Sequence, residues 1–293
     1  VDARVVIPTW NGGAQLRELL RALKAQKPAS VLREIVVVDS SSSDGSANVA
    51  RDEGARVIPI DRATFNHGAT RNLGAADATA AAVVFLVQDA LPVGDSFLAA
   101  LLEPLGEPGV AASYARVVAR LGASATVRRD VARDLVAGEA QLVKRMPDRT
   151  EWDRWSASQR RVHCHFNDVA SAIRADAFRA LPFRALAFGE DLDWGKRALE
   201  AGHAIAFAPR AVVAHSHRSS WSRDFRRHRD DGSLEAALFG IRRAPSFARA
   251  LVRAARAVAV DLSSPPRAFA PALRLAQALG RWSGGKRPLS LPS

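Results

Sequence analysis

Glu34-Ile35-Val36-Val37-Val38-Asp39 leads directly into Ser40-Ser41-Ser42-Ser43-Asp44-Gly45. Four β-branched residues in a row, closed by an acid and a polar loop, predict a buried strand. Ser46 to Glu53 then predicts a short helix. The same alternation extends to both sides. Arg4 to Pro8 reads as a strand, and Ala14 to Gln26 as a helix with Leu16, Leu19, Leu20 and Leu23 on one side. Arg56 to Ile60 reads as a third strand, Gly68 to Ala78 as a helix and Val83 to Val87 as a fourth strand. Such alternation predicts an α/β fold with a mainly parallel central sheet. Ligands of such sheets bind beyond the carboxyl ends of the strands. Three of these strands end in chemically capable groups: Thr9-Trp10-Asn11, Asp39 and Gln88-Asp89. A parallel sheet would gather them on one rim.

Further along, Arg120 to Arg161 is polar and predicted helical. Gly189 to Ala201 reads as a helix with Gly202 as its stop. Ala204 to Phe207 and Ala211 to Ala214 read as two short strands. The expected organisation is one domain over 1–232, with halves at about 1–118 and 119–232, and a basic helical tail over 233–293.

Composition narrows the classes. The 293 residues are 48% apolar, enough for a sizeable core. A single cysteine, Cys164, excludes an intrachain disulfide framework and fits a reducing compartment. No apolar run approaches the roughly 20 residues that span a bilayer, and no secretory leader is recognised, so a cytoplasmic protein is expected.

The net charge is +12, and Ser233 to Ser293 holds ten Lys or Arg against Glu235 and Asp261. Arg249, Arg253 and Arg256 share one helical face, with Leu251, Val252, Ala255, Val258 and Leu262 largely on another. Arg267, Arg274 and Arg281 recur at spacings of seven, beside an apolar side of Phe269, Leu273, Ala276 and Leu279. Helices of this type lie on anionic membranes, or pack on the domain with their arginines in water; a dimer contact is a third use. Nucleic acid is not an expected partner, since the tail has few aromatics for base stacking and that reading leaves the acidic motifs without a role.

Several short strings can carry chemistry. Glu190-Asp191-Leu192-Asp193-Trp194 opens a helix, where the dipole favours negative charge. An ionised carboxylate there can take a proton from a hydroxyl, although acids at helix starts are also common. Asp89 ends an apolar strand and is either a ligand for Mg²⁺ or Mn²⁺ or a loop cap. His215-Ser216-His217 places two imidazoles on one side of an extended segment. His163-Cys164-His165 has similar spacing without a further zinc-type ligand set, and reads as structural. In Phe65-Asn66-His67-Gly68-Ala69-Thr70-Arg71-Asn72, Gly68 permits close approach of backbone to a ligand, and Arg71 suits a phosphate or a base.

Taken in order, these segments resemble the family 2 glycosyltransferases of the GT-A fold, over roughly Arg4 to Gly232. The string at 65–72 and the Val84-to-Pro92 segment look like the forms found in bacterial rhamnosyltransferases. The resemblance implies that Asp191 is the general base, supported by Glu190. It implies a nucleotide-sugar site from Pro8, Thr9, Asn11, Asp39, Ser41, Asp44, His67, Arg71 and Gln88. It implies Asp89, with His217 or His215, as ligands of a divalent cation, Mg²⁺ or Mn²⁺. The family's metal motif commonly has two acids one residue apart; here Val87 stands at the first. The Gln-x-x-Arg-Trp motif of processive members is also missing, which favours transfer of one or a few sugars. The implied reaction is inverting transfer from dTDP-L-rhamnose, or another UDP- or GDP-sugar, to a glycan or lipid-linked acceptor. A nucleotidyltransferase, a catalytically silent sugar-nucleotide binder and, outside enzymes, a basic nucleic-acid-binding protein are the alternatives.

Overall fold

The computed structural model describes residues 1–133, 140–217, 219–244, 246–263 and 270–292. Its strands are β1 (Ala3–Thr9), β2 (Leu32–Asp39), β3 (Arg56–Pro59), β4 (Ala82–Leu86), β5 (Leu91–Pro92), β6 (Val110–Val118), β7 (Leu142–Lys144), β8 (Ala170–Arg174) and β9 (Ala204–Ala214). The first six helices are α1 (Gly13–Lys24), α2 (Ser46–Asp52), α3 (His67–Ala75), α4 (Phe97–Leu102), α5 (Ala125–Arg133) and α6 (Arg149–Arg154). The remainder are α7 (Ala157–His163), α8 (Ala175–Ala180), α9 (Glu190–Glu200), α10 (Trp221–Phe239), α11 (Phe247–Ser263) and α12 (Pro271–Gly285). They fall into two compact units. The first comprises Val1–Val118, Ala137–Pro147 and Cys164–His215. The second comprises Ala119–Val136, Asp148–His163 and Ser216–Ser293.

In the first unit the strands form one sheet in the order β3-β2-β1-β4-β8-β6-β9-β5, with β7 added beside β9. Strands β3, β2, β1 and β4 are parallel, as are β6 and β9. Strand β8 runs antiparallel to both β4 and β6, and the short β5 and β7 run antiparallel to β9. The sheet is therefore mixed, though mostly parallel as expected. Helix α1 covers one face: Leu16, Leu19, Leu20 and Leu23 are almost fully buried in the cluster that holds Val5, Ile7, Val37 and Val84. Each such leucine contributes about 2 kcal/mol of transfer free energy. On the other face, Gly74 of α3 sits so close to Val6 and Val38 that no Cβ would fit. Coverage of both faces accounts for the continuous apolar runs in these strands.

The two strands expected over 204–214 are one strand. Its pairing with β6 skips from Ala208 to Val212, and Pro209 sits in that irregularity, where no ladder hydrogen bond is required of it. The polar stretch after Arg120 forms α5, α6 and α7 as expected, but it also supplies β7.

In the second unit the expected boundary between Gly232 and Ser233 falls inside α10. Gly232 does not stop the helix. Instead it lies against the backbone of Arg281, while Gly280 and Gly284 of α12 lie against the backbone of Phe225 and Arg229 in α10. A side chain at any of the three would strike backbone atoms, so the two helices approach through their glycines.

The arginines expected to face water along the tail divide. Arg249, Arg253 and Arg256 are exposed on α11, whereas Arg274 is only 3% exposed. Its guanidinium donates to Asp261 (2.6 and 2.9 Å) and to Asp130 (2.7 and 2.8 Å). Arg129 donates to the same Asp261 carboxylate at 2.6 Å. Arg267 and Phe269 lie outside the described residues. Among the described residues no helix is long and apolar enough to cross a membrane.

Candidate active site

Register fixes what lies along one rim of the first unit. Thr9 pairs directly with Asp39, and both end their strands. The β1–β4 pairing of Val6 with Phe85, continued by three residues, brings Gln88 opposite Thr9. The antiparallel pairing of Leu86 with Ala170 brings the residues preceding β8, including Asp168, to the same end. On the far side, β6 and β9 pair up to Val118 and Ala214, and the His215 N–H donates to the Val118 carbonyl at 2.8 Å. Thr9, Asp39, Gln88, Asp89, Asp168 and His215 thus share one rim.

The loops after β1 and β2 are tied together there. Asn11 and Ser41 both have positive φ (48° and 57°), conformations that non-glycine residues adopt mostly under local constraint. Asn11 accepts from the Ser43 N–H at 2.9 Å, and its own N–H donates to the Ser42 hydroxyl at 2.9 Å. Ser41 donates to the Ile60 carbonyl at 2.9 Å. Asp44 accepts from the Ser46 hydroxyl and N–H, and the hydroxyl bond holds its carboxyl below the usual range. Asp39 is buried; its Oδ2 accepts from Ser42 N–H at 3.1 Å, while Oδ1 has no hydrogen-bond partner among the described residues. A buried carboxylate oxygen left in that state is costly unless a ligand donates to it. Thr9 is buried with its hydroxyl turned to the Ile7 carbonyl, and Pro8 is half-buried beside it. Gln88 is engaged in both directions with Trp10, accepting from its N–H at 2.8 Å and donating to its carbonyl at 3.1 Å. These bonds order the loop after β1 and leave one amide N–H of Gln88 for a further contact.

Near the β4 end, Asp89 and His215 approach to 3.4 Å. His217, the further histidine expected to serve a cation, follows two residues along the same segment. One carboxylate and imidazoles form a set that suits a divalent transition cation such as Mn²⁺ better than Mg²⁺, which prefers oxygen alone. The donor chemistry therefore fits a cation despite valine at position 87.

The acidic motif is organised around Arg71. That side chain is 2% exposed. It donates to Glu190 Oε1 at 2.8 Å and forms an ion pair with Asp168 Oδ2 at 2.9 Å. Held between two carboxylates, Arg71 has an internal role in organising the acidic motif, beside the nucleotide contact expected of it. Burial acts against its charge, but Asp168, Glu190 and Asp191 together hold it protonated. Burial pushes Asp168 up to about 7, with Arg71 opposing. Burial likewise pushes Asp191 up to about 7, with Asp168 adding to the rise. Glu190 is raised by the same cause. His67 stands 3.9 Å from Glu190, and burial, then Arg71 and Arg62, lower it to about 4, so it is neutral near pH 7.

The whole string from Phe65 to Asn72 holds the approach to this motif. Asn66 caps α3 and donates to the Leu186 carbonyl at 2.8 Å; Asn72 exchanges hydrogen bonds of 2.8 and 3.1 Å with the Phe183 backbone. Gly68 packs on the Arg184 carbonyl, with no room for a Cβ. Its close approach is to the protein's own backbone, not to a ligand as expected. Gly189, at φ 76°, turns the chain into α9. Within the motif Asp193 is structural: it is buried and pairs with Arg197 at 2.8 Å. Sequence reasoning missed Asp168. Its signal was an acid immediately before the short run Val169 to Ile173, the antiparallel counterpart of Asp89 after β4. His165 faces Tyr114 and Cys164 is fully buried, as a structural reading of that string requires.

Known proteins are similar to this chain in sequence and fold. The model of Glycosyl transferase family 2 matches residues 4–168. An O-antigen chain rhamnosyltransferase of Salmonella anatum is 30% identical over 237 residues, 79% of this chain and 71% of that protein. Its counterpart in Salmonella typhimurium is 28% identical over 79% of this chain and 72% of its own. Among solved structures, a mannosyltransferase of Pyrobaculum calidifontis in complex with GDP-Man and Mn²⁺ superimposes with a TM-score of 0.58 at 21% identity, over 96% of this chain and 71% of its own. Glucosyl-3-phosphoglycerate synthase of Mycobacterium tuberculosis, in complex with Mn²⁺ and UDP-glucose, gives 0.56 at 19% identity, over 83% and 81%. The family match spans more than half of the sequence and carries the rim that binds ligands in this fold; the chain therefore belongs to glycosyl transferase family 2 and is a nucleotide-sugar glycosyltransferase of the GT-A fold.

Proposed function

We propose that this glycosyltransferase inverts the anomeric centre of its donor, with dTDP-L-rhamnose as the leading candidate and other UDP- or GDP-sugars behind it. The acceptor is a hydroxyl of a cell-surface glycan or lipid-linked oligosaccharide, met in the cytoplasm. The donor assignment is supported by the two rhamnosyltransferase relatives. The observation that carries the mechanism is the single arginine, Arg71, shared by Asp168 and Glu190, with Asp191 beside them.

In this reading Asp39 accepts hydrogen bonds from the nucleoside, through the oxygen that has no partner among the described residues. Asn11, Ser41 and Asp44 shape the loops around it. Asp89 and His215, with His217 as a further candidate, would hold the divalent cation. When bound, that cation stabilises negative charge developing on the departing diphosphate. Asp191 removes the proton of the attacking hydroxyl. Glu190, Asp168 and Arg71 form the charged surroundings that set the proton affinity of Asp191.

Asp191 works as a base only when ionised. With its carboxyl at about 7, kcat/KM is expected to rise about tenfold per pH unit below that value and to level above it. Stability follows the opposite sense. Asp168 and Asp191 keep protons in the fold that the unfolded chain releases near pH ~4. Their stabilising contribution is complete below that pH and is lost as pH rises through about 7. A pH-rate profile and denaturation at several pH values measure the two trends.

The function is tested by incubating the protein with dTDP-rhamnose, UDP-sugars or GDP-sugars and a panel of acceptors, and identifying the products. Release of a nucleoside diphosphate is expected, abolished by EDTA and restored better by Mn²⁺ than by Mg²⁺. Release of pyrophosphate would mark a nucleotidyltransferase, and full turnover after metal removal would end the role given to Asp89.

A further inference from the structure

The second unit carries a surface that transfer chemistry does not use. Helix α11 docks through Ala250, Ala254 and Asp261, all buried. Phe247, Leu251, Val252 and Leu262 project from it and remain 42% to 52% exposed. At 100° per residue, Phe247, Leu251, Leu262 and Val252 fall within one continuous side of the helix, with Ala255 among them. Arg249, Arg253 and Arg256 occupy the adjoining side and are exposed. The helix has one acid, Asp261, and that group is fully buried and bonded to Arg129 and Arg274. Every charge α11 shows to solvent is therefore positive. Near its start, Phe247 meets Trp282 edge-on at 5.6 Å, and Lys286 lies 4.1 Å above the same indole.

Apolar side chains half in water are normal when scattered. Here they lie along one side of the helix and are flanked by exposed arginines. We propose that α11 is an interfacial helix that seats the second unit on an anionic lipid bilayer. Phe247, Leu251, Val252 and Leu262 enter the acyl boundary, and Arg249, Arg253 and Arg256 meet lipid phosphates. The charge pattern favours this occupant over a second copy of the chain, whose α11 would bring the same arginines against these. The inference is independent of the donor sugar, because it concerns a surface outside the rim of the sheet.

Sedimentation of the full chain with vesicles of equal parts phosphatidylglycerol and phosphatidylcholine tests it. The protein is expected to pellet with these vesicles and to stay in solution with phosphatidylcholine alone. Leu251→Asp/Val252→Asp should lower the bound-to-free ratio about tenfold or more. Arg249→Gln/Arg253→Gln/Arg256→Gln should lower it about tenfold and remove its dependence on salt. All five positions are exposed, and unchanged melting of each variant checks that the fold is intact. Wild-type protein that stays in the supernatant, or a Leu251→Asp/Val252→Asp variant that pellets as well as wild type, overturns the proposal. So does a wild-type dimer that this variant converts to monomer, because α11 would then serve a second copy.

Discussion

Asp191→Asn is expected to lower the transfer rate about 10³-fold while leaving affinity for the nucleoside diphosphate within a factor of about three. The amide keeps the size of the side chain and its bond to the Leu192 N–H, made at 2.7 Å in the native protein. What it loses is the capacity to hold a proton. A loss of that size corresponds to about 4 kcal/mol of transition-state stabilisation. Neighbouring groups do not replace it: Glu190 is tied to Arg71, and Asp193 to Arg197 and Arg184. Single-turnover rates and nucleotide titration separate the two effects. Turnover near the wild-type rate would remove Asp191 from its role, and loss of nucleotide affinity in step with rate would mean that it binds donor instead.

Arg274→Met should destabilise the second unit by about 3 kcal/mol, measured by denaturant unfolding. Methionine fills much of the volume, so the loss is electrostatic. Asp261 is fully buried and would keep only its bond from Arg129, while the Asp130 carboxylate would lose both bonds from the same guanidinium. Breaking one side of a buried ion network is far costlier than removing an exposed charge. Arg256→Met, on the water-facing side of α11, should change stability by less than about 0.5 kcal/mol. Equal effects of the two substitutions would contradict the burial of Arg274.

This contrast bears on the excess basic charge. Arg129 and Arg274 turn inward to acids, and Arg161 and Arg243 are engaged by Glu235. Part of the tail's positive charge is therefore structural, which weakens a nucleic-acid reading of the pI; the exposed arginines of α11 are among the charges that remain turned outward, with Arg242, Lys286 and Arg287.

The parallel half of the sheet was legible because its strands are buried on both faces and read as unbroken apolar runs. Val83 to Val87 is an example, and the structure moves its bounds by one residue. Strand β8 was not legible, since Ala170-Ser171-Ala172-Ile173-Arg174 has neither alternation nor β-branched density. Missing it hid Asp168, whose place on the rim depends on that strand running backwards. The string at 65–72 was recognised as unusual, but its purpose was not. Asn66, Arg71 and Asn72 bond to partners more than a hundred residues away, and local pattern carries no trace of such pairings. Asp89 and the histidines after β9 stand out in the sequence because strand ends in this fold point to ligands.

The central claim is that Asp39, Asp89 and Asp191, distant in sequence, serve one nucleoside diphosphate and one cation. Anomalous diffraction from crystals soaked with Mn²⁺ and dTDP tests it most directly. The expected map has one Mn²⁺ peak in coordination contact with Asp89 and His215, a diphosphate joined to it, the nucleoside at Asp39, and Asp191 facing the space where the sugar would attach. A Mn²⁺–nucleotide peak elsewhere on the protein, or Asp191 turned away from the diphosphate, would contradict it.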